Sequence, residues 1–119
     1  MSTLINGDFP KIVAMQKDES TVHFELEITQ DLDWFRGHFP DQPILPGVVQ
    51  LHWAVCAARE YLGLESQPTE IKRLKFKSIV TPPRTLDLTL AKRGQGEVDF
   101  QFATGDDQNS QGLLVFGTP

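Results

Sequence analysis

The chain has 119 residues, 39% of them hydrophobic and 23% charged, and a net charge of −5. That length fits one domain, 1–119, whose moderate core gains from pairing with a second subunit, and the acidic balance argues against general nucleic-acid binding. No window approaches the ~20 apolar residues of a membrane span, MSTLINGDFPK has no leader-like basic start or apolar run, and a single cysteine, Cys56, excludes an internal disulfide and suits a reducing, cytoplasmic setting.

Residues 1–10 read as a lead-in broken by Gly7 and Pro10. Ile12 to Gln16 is a short strand, followed by a polar turn at Lys17-Asp18-Glu19-Ser20. From Thr21 to Thr29, Val22, Phe24, Leu26 and Ile28 alternate with His23, Glu25 and Glu27. A period of two makes a half-buried strand, with His23 on its wet face. Trp34 and Phe35 are expected to cover whatever lies below the next loop.

The stretch from Arg36 to Ala54 reads RGHFPDQPILPGVVQLHWA. Pro40, Pro43 and Pro46 stiffen its first half, because proline fixes φ. Pro46 suits the first turn of a helix, where its missing N–H has no intrahelical acceptor. The spacing predicts a helix from about Gly47 to Leu62, roughly 24 Å long, with Gly63 as its C-terminal cap. Its first three turns, GVVQLHWAVCAA, carry only Gln50 and His52 as polar residues. Such a helix is buried on most sides, with Cys56 as a packing residue.

After a loop at Leu64 to Pro68 the chain reads as strands. Thr69 to Val80 is one, with Leu74, Phe76 and Ser78 facing in, and Thr81-Pro82-Pro83 ends it. Leu86, Leu88 and Leu90 alternate with Asp87 and Thr89; after a turn at Gly94 and Gly96, Val98, Phe100 and Phe102 alternate with Asp99 and Gln101. Gly105 to Asn109 is a polar hairpin turn. Leu113 to Phe116 is the last strand, apolar on both faces and therefore central. The plan is α+β: two strands, a long buried helix, then four antiparallel strands, with one curved sheet covering the helix. A single sheet leaves part of the helix uncovered, which calls for a partner subunit.

Candidate chemistry gathers where the stiff loop meets the helix. A neutral histidine accepts a proton near physiological pH, and His38 is held close to a helix start whose free amides favour negative charge. A base beside an anion-stabilising end is what a proton-abstracting enzyme needs. Two histidines without a third ligand make a poor metal set, so neither metal nor cofactor is expected.

Gly37-His38-Phe39-Pro40, then Pro43, then Leu45-Pro46-Gly47-Val48, resembles the active-site loop of the 3-hydroxyacyl-acyl-carrier-protein dehydratases of the FabA/FabZ type. QLHWA is most similar to the FabZ-like proteins of aryl-polyene and related pathways. The motif covers about 19 residues, and the order of elements agrees with that family's hotdog fold, a long helix wrapped by an antiparallel sheet. The resemblance implies that His38 acts on the substrate's α- and β-carbon protons and that the Gly47 amide binds the thioester carbonyl. It places His52 where the family has a Glu or Asp that handles the leaving hydroxyl. His52 is then a substitute acid or anchor, weakened as an acid by burial, or the mark of a shifted or lost activity, or a structural hydrogen-bonder while Asp41 acts.

Phe39, Val48, Leu51 and Trp53, with Ile44 and Val55, are candidates to line an acyl tunnel, though each also suits a core. Arg73, Lys75 and Lys77 fall on one side at period two, near Arg84, with Arg36 as a further contributor. That face is either solvated or a docking surface for an acidic acyl carrier protein. The expected assembly is a homodimer, or a heterodimer with a related hotdog protein. A hotdog thioesterase and a non-catalytic subunit paired with an active relative are the rival functions.

Overall fold

The computed structural model describes residues 9–29 and 44–117. Strands β1 (Lys11–Lys17) and β2 (Thr21–Ile28) precede helix α1 (Gly47–Tyr61); β3 (Pro68–Phe76), β4 (Arg84–Arg93), β5 (Glu97–Thr104) and β6 (Asp107–Phe116) follow it. All six strands form one antiparallel sheet in the order β1-β2-β4-β5-β6-β3. The strand that leaves the helix, β3, therefore crosses to the far edge of the sheet, and β1 forms the other edge.

The core follows from period two. Phe24 pairs with Leu88 and Leu88 with Phe102; Val22 pairs with Leu90 and Leu90 with Phe100. These rows present one apolar face across β2, β4 and β5, and every member is buried. Each such side chain contributes about 1.5–3 kcal/mol on burial. Helix α1 lies on that face through Val49, Trp53, Ala54, Ala57 and Ala58.

The ends of α1 fall where proline and glycine place them. Pro46 is the N-cap, at φ −63° and ψ 147°. At the other end the Leu62 amide donates to the Ala58 carbonyl at 2.9 Å, and Gly63 takes φ +71°. Lys17 Nζ donates to the Tyr61 carbonyl at 2.9 Å and Arg59 Nη2 to the Glu65 carbonyl at 3.0 Å. Cations at a helix C-terminus are favoured by the dipole.

Two expectations are corrected. Leu74, Phe76 and Ser78 do not face in: they are exposed. β3 is an edge strand, and an irregularity between Lys72 and Lys75, with Arg73 at φ 53°, breaks its alternation. β6 starts at Asp107, not Leu113, because its polar first half also pairs with β5, through an irregularity between Phe102 and Ala103. As expected of a single sheet, part of α1 is left uncovered, where Val48 and His52 are exposed.

Candidate active site

The N-terminus of α1 is an open anion-stabilising end. Among the described residues no side chain caps it, and its first turn carries no acidic residue. Intrahelical bonding begins with the Val49 and Gln50 amides, which donate to the Pro46 carbonyl at 3.1 and 3.2 Å. The Gly47 and Val48 amides come before that point, among the donors that a helix leaves to other partners. Beside them is a cleft of about 410 Å³ lined by residues 44–48, 50 and 76–79. Its walls are mostly apolar, and Lys77 is the charged side chain among them.

The two walls are tied together directly and through the start of β6. The Leu45 amide donates to the Val80 carbonyl at 2.8 Å. Between Phe102 and Ala103 the pairing of β5 with β6 shifts by one residue, leaving Asn109 as the extra residue of a bulge. A bulge re-aims a side chain, so Asn109 and Ser110 are both buried although they are consecutive. Ser110 Oγ donates to Gln50 Oε1 at 2.7 Å on the helix wall. Asn109 Nδ2 donates to Ser78 Oγ at 2.8 Å, and the Lys77 amide donates to the Asn109 carbonyl at 2.8 Å on the other wall.

Gly47 sits at the cleft with the Phe76 ring against it. Its missing side chain makes room for that ring. Val48, at 70% exposure, projects outward. Leu51 is half-buried against the core, and Val55 belongs to it. Trp53 is fully buried on the sheet side of α1, edge-on to Phe9 with ring centroids 5.9 Å apart, and is not on the cleft wall. His52 is exposed on the face of α1 turned from the sheet, so the burial expected of it is absent within one chain. Its Nε2 lies 3.6 Å from Cys56 Sγ, one turn on. His38, Phe39, Arg36 and Asp41 lie outside the described residues.

The basic residues do not form one face. Arg73 lines a separate cavity of about 380 Å³, with Arg93, Gln101 and Gln111, and Arg93 is ion-paired with Asp99. Lys77 lies beyond the end of β3 on the cleft wall, with its Nζ donating to Gln108 Oε1 at 2.7 Å. Lys75 is exposed opposite Gln111, and Arg84 opens β4 opposite Ile28. His23 is half-exposed, with Nε2 3.5 Å from Asp87 Oδ1. Among the described residues no three His, Cys, Asp or Glu side chains gather as a metal set.

The sequence reading missed Gln50, Asn109 and Ser110. Gln50 left a signal, as a polar residue in an apolar helical run. The other two left none, because a bulge register depends on the neighbouring strand.

One helix wrapped by a six-stranded antiparallel sheet is the hotdog fold, the fold of a class that includes acyl-thioester dehydratases. The structure superposes on a chain of the dehydratase heterocomplex ApeI:P from Xenorhabdus doucetiae with a TM-score of 0.81 at 30% identity, covering 89% of this chain and 96% of that one. Residues 14–113 match the model of the ApeI-like family, described as ApeI dehydratase. The chain is 31% identical over 100 residues to the 3-hydroxyacyl-[acyl-carrier-protein] dehydratase FabZ of Pediococcus pentosaceus, 75% of this chain and 67% of that protein. It is 35% identical over 77 residues to the FabZ of Erythrobacter litoralis, 56% of this chain but only 50% of that enzyme. The chain belongs to the ApeI-like dehydratase family and is a FabZ-type, dehydratase-like protein.

Proposed function

We propose that this chain is a subunit of a hydro-lyase that removes water from a 3-hydroxyacyl thioester borne by an acyl carrier protein. The observation that carries the reading is the uncapped start of α1, where the Gly47 amide opens on an apolar cleft. His38 takes the α-proton as the Cα–H bond breaks, and the Gly47 amide holds the charge that gathers on the thioester oxygen. The Cβ–O bond then breaks, and the departing hydroxyl leaves as water on a proton that His52 donates or, where His52 only orients it, on the proton that His38 took. The relatives support the substrate class, since the FabZ proteins are named as dehydratases of 3-hydroxyacyl groups on acyl carrier protein. Phe39, Val48 and Leu51 are the proposed contacts of the acyl chain. Lys77, on the cleft wall, is the basic residue best placed to meet an acidic carrier. The setting is cytoplasmic.

A second reading is favoured by one observation. His52 and Val48 lie on the face of α1 that the sheet leaves open, while Phe76 and Ile79 are 50% and 66% exposed nearby. A second hotdog subunit, a copy or a relative, would cover this surface and bring its own groups to His52. The neighbouring ApeI:P structure is itself a heterocomplex. In that arrangement the partner supplies the carboxylate that this chain lacks.

The test is an absorbance assay with a short 3-hydroxyacyl or 2-enoyl thioester on a carrier protein, run beside His38→Ala and His52→Glu. Enoyl formation or loss that vanishes in His38→Ala is the expected result. Turnover only in His52→Glu, or only after a relative is added, supports the heteromeric reading. Release of free thiol instead would make the protein a thioesterase.

A further inference from the structure

We infer that Gln50 is a positioning residue that aims the Gly47 amide, a role that rests on the dehydratase reading for its consequence but not for its geometry. Gln50 is 2% exposed on the sheet-facing side of α1, where its neighbours are Val49, Trp53 and Ala54. Packing alone would favour an apolar side chain at such a place. A buried carboxamide persists where its donor and acceptor are both used. Here both are. Nε2 donates to the Leu45 carbonyl at 3.4 Å, a long bond, and Oε1 accepts from Ser110 Oγ at 2.7 Å.

The backbone of the same residue completes the device. The Gln50 amide donates to the Pro46 carbonyl at 3.2 Å. Gln50 thus grips the two successive carbonyls that precede Gly47 and anchors them to β6. The peptide unit is planar and trans, so fixing the Pro46 C=O fixes the opposite direction of the Gly47 N–H. That N–H is the donor assigned to the thioester oxygen. Its aim is set before substrate arrives, which is what makes such a donor effective. Ser110 is fully buried at its place beside the Asn109 bulge, so the anchor is itself fixed.

Two substitutions test this. Gln50→Met keeps the shape and removes both side-chain bonds. It should lower kcat by about 10–100-fold, the scale of a misplaced reacting group, with KM within about twofold. Gln50→Glu keeps the acceptor for Ser110. It donates to Leu45 only when protonated, and burial favours that form. Its kcat should approach that of wild type at the same low pH, and as pH rises it should show a falling limb additional to any in the wild-type profile. A purely structural residue would lower thermal stability without that limb. Amide hydrogen exchange gives a readout independent of turnover: Leu45 and Gln50 amides should exchange about tenfold faster in Gln50→Met, with β5 amides unchanged. Unchanged exchange at both positions, or a Met variant with wild-type kcat, overturns the inference. Absence of turnover in wild type, in His52→Glu and after a relative is added overturns the dehydratase reading alone, and the exchange result still decides the role of Gln50.

Discussion

The Phe76 ring lies so close over Gly47 that a Cβ built on the glycine would stand 2.7 Å from Cε1. Real Cβ atoms do not approach that closely, so any side chain at position 47 must displace the ring. Phe76 is exposed enough to swing aside, and the cost of Gly47→Ala should be modest, about 1 kcal/mol, the low end of overpacking. The displaced ring would narrow the cleft, so the loss of activity should exceed the loss of stability. Phe76→Ala should relieve both. A double-mutant cycle in urea and in the dehydration assay should give a favourable coupling of at least about 0.5 kcal/mol, the scale found for touching residues. Additive effects would mean that the ring does not constrain Gly47 in solution.

Arg73 and Lys77 are four residues apart, yet they line different cavities. The irregularity at β3 turns Arg73 into the one beside Arg93, whereas Lys77 stands at the cleft wall. Among the described residues Lys77 is the basic side chain on the cleft wall, and it is the one proposed to meet a carrier protein. Lys77→Glu should lower kcat/KM for a carrier-borne substrate by about 3–10-fold at low salt, chiefly through slower association. A small thioester without the carrier should be turned over as before, and Arg73→Glu should leave both substrates alone. An equal response of the two substrates to Lys77→Glu would end the docking assignment.

Much of this architecture is legible in the sequence because the core strands alternate cleanly. Val22 through Ile28, Leu86 through Leu90 and Val98 through Phe102 show period two, and all are buried as that period requires. The helix is legible for a different reason: Pro46 and Gly63 bracket it. What fails does so where tertiary contacts decide. Leu74 and Phe76 look inward by period, but edge position and the shifted register at Arg73 expose them. Asn109 looks like a turn residue, and only the register against Phe102 and Ala103 makes it and Ser110 core. The role of His38 was read from a motif, and its position falls outside the described residues.

Val48 and Ile79 are large apolar side chains at 70% and 66% exposure on the rim of the same cleft. Isolated exposed apolar residues need no explanation, but a group beside a proposed active site marks a contact surface. Val48→Asp and Ile79→Asp together should change the fold's stability little, within about 0.5 kcal/mol for surface positions. They should weaken subunit association markedly, seen as a lower mass by light scattering at micromolar concentration. Activity should fall with the assembled fraction. An unchanged mass would move the subunit contact to another face, such as the β1 edge, where Val13 and Met15 are exposed.

Tyr61 closes α1 with its ring edge-on to Phe24, the centroids 5.0 Å apart. Burial of the phenol, reinforced by the charge of Glu60, raises its pKa above the ordinary 10.0. Burial, the larger cause, disfavours the phenolate in the folded state only. Below the unfolded value both states keep the proton, and stability is intact. Above it the unfolded chain ionises first and binds fewer protons, so stability falls as pH rises from about 10 until the folded phenol also ionises. Tyr61→Phe keeps the ring against Phe24 and removes the titration. Urea midpoints measured between about pH 9 and pH 11 should therefore fall less steeply in Tyr61→Phe than in wild type, with the curves diverging only above about pH 10. Parallel curves would show that the phenol at the end of α1 is as well solvated in the folded chain as in the unfolded one.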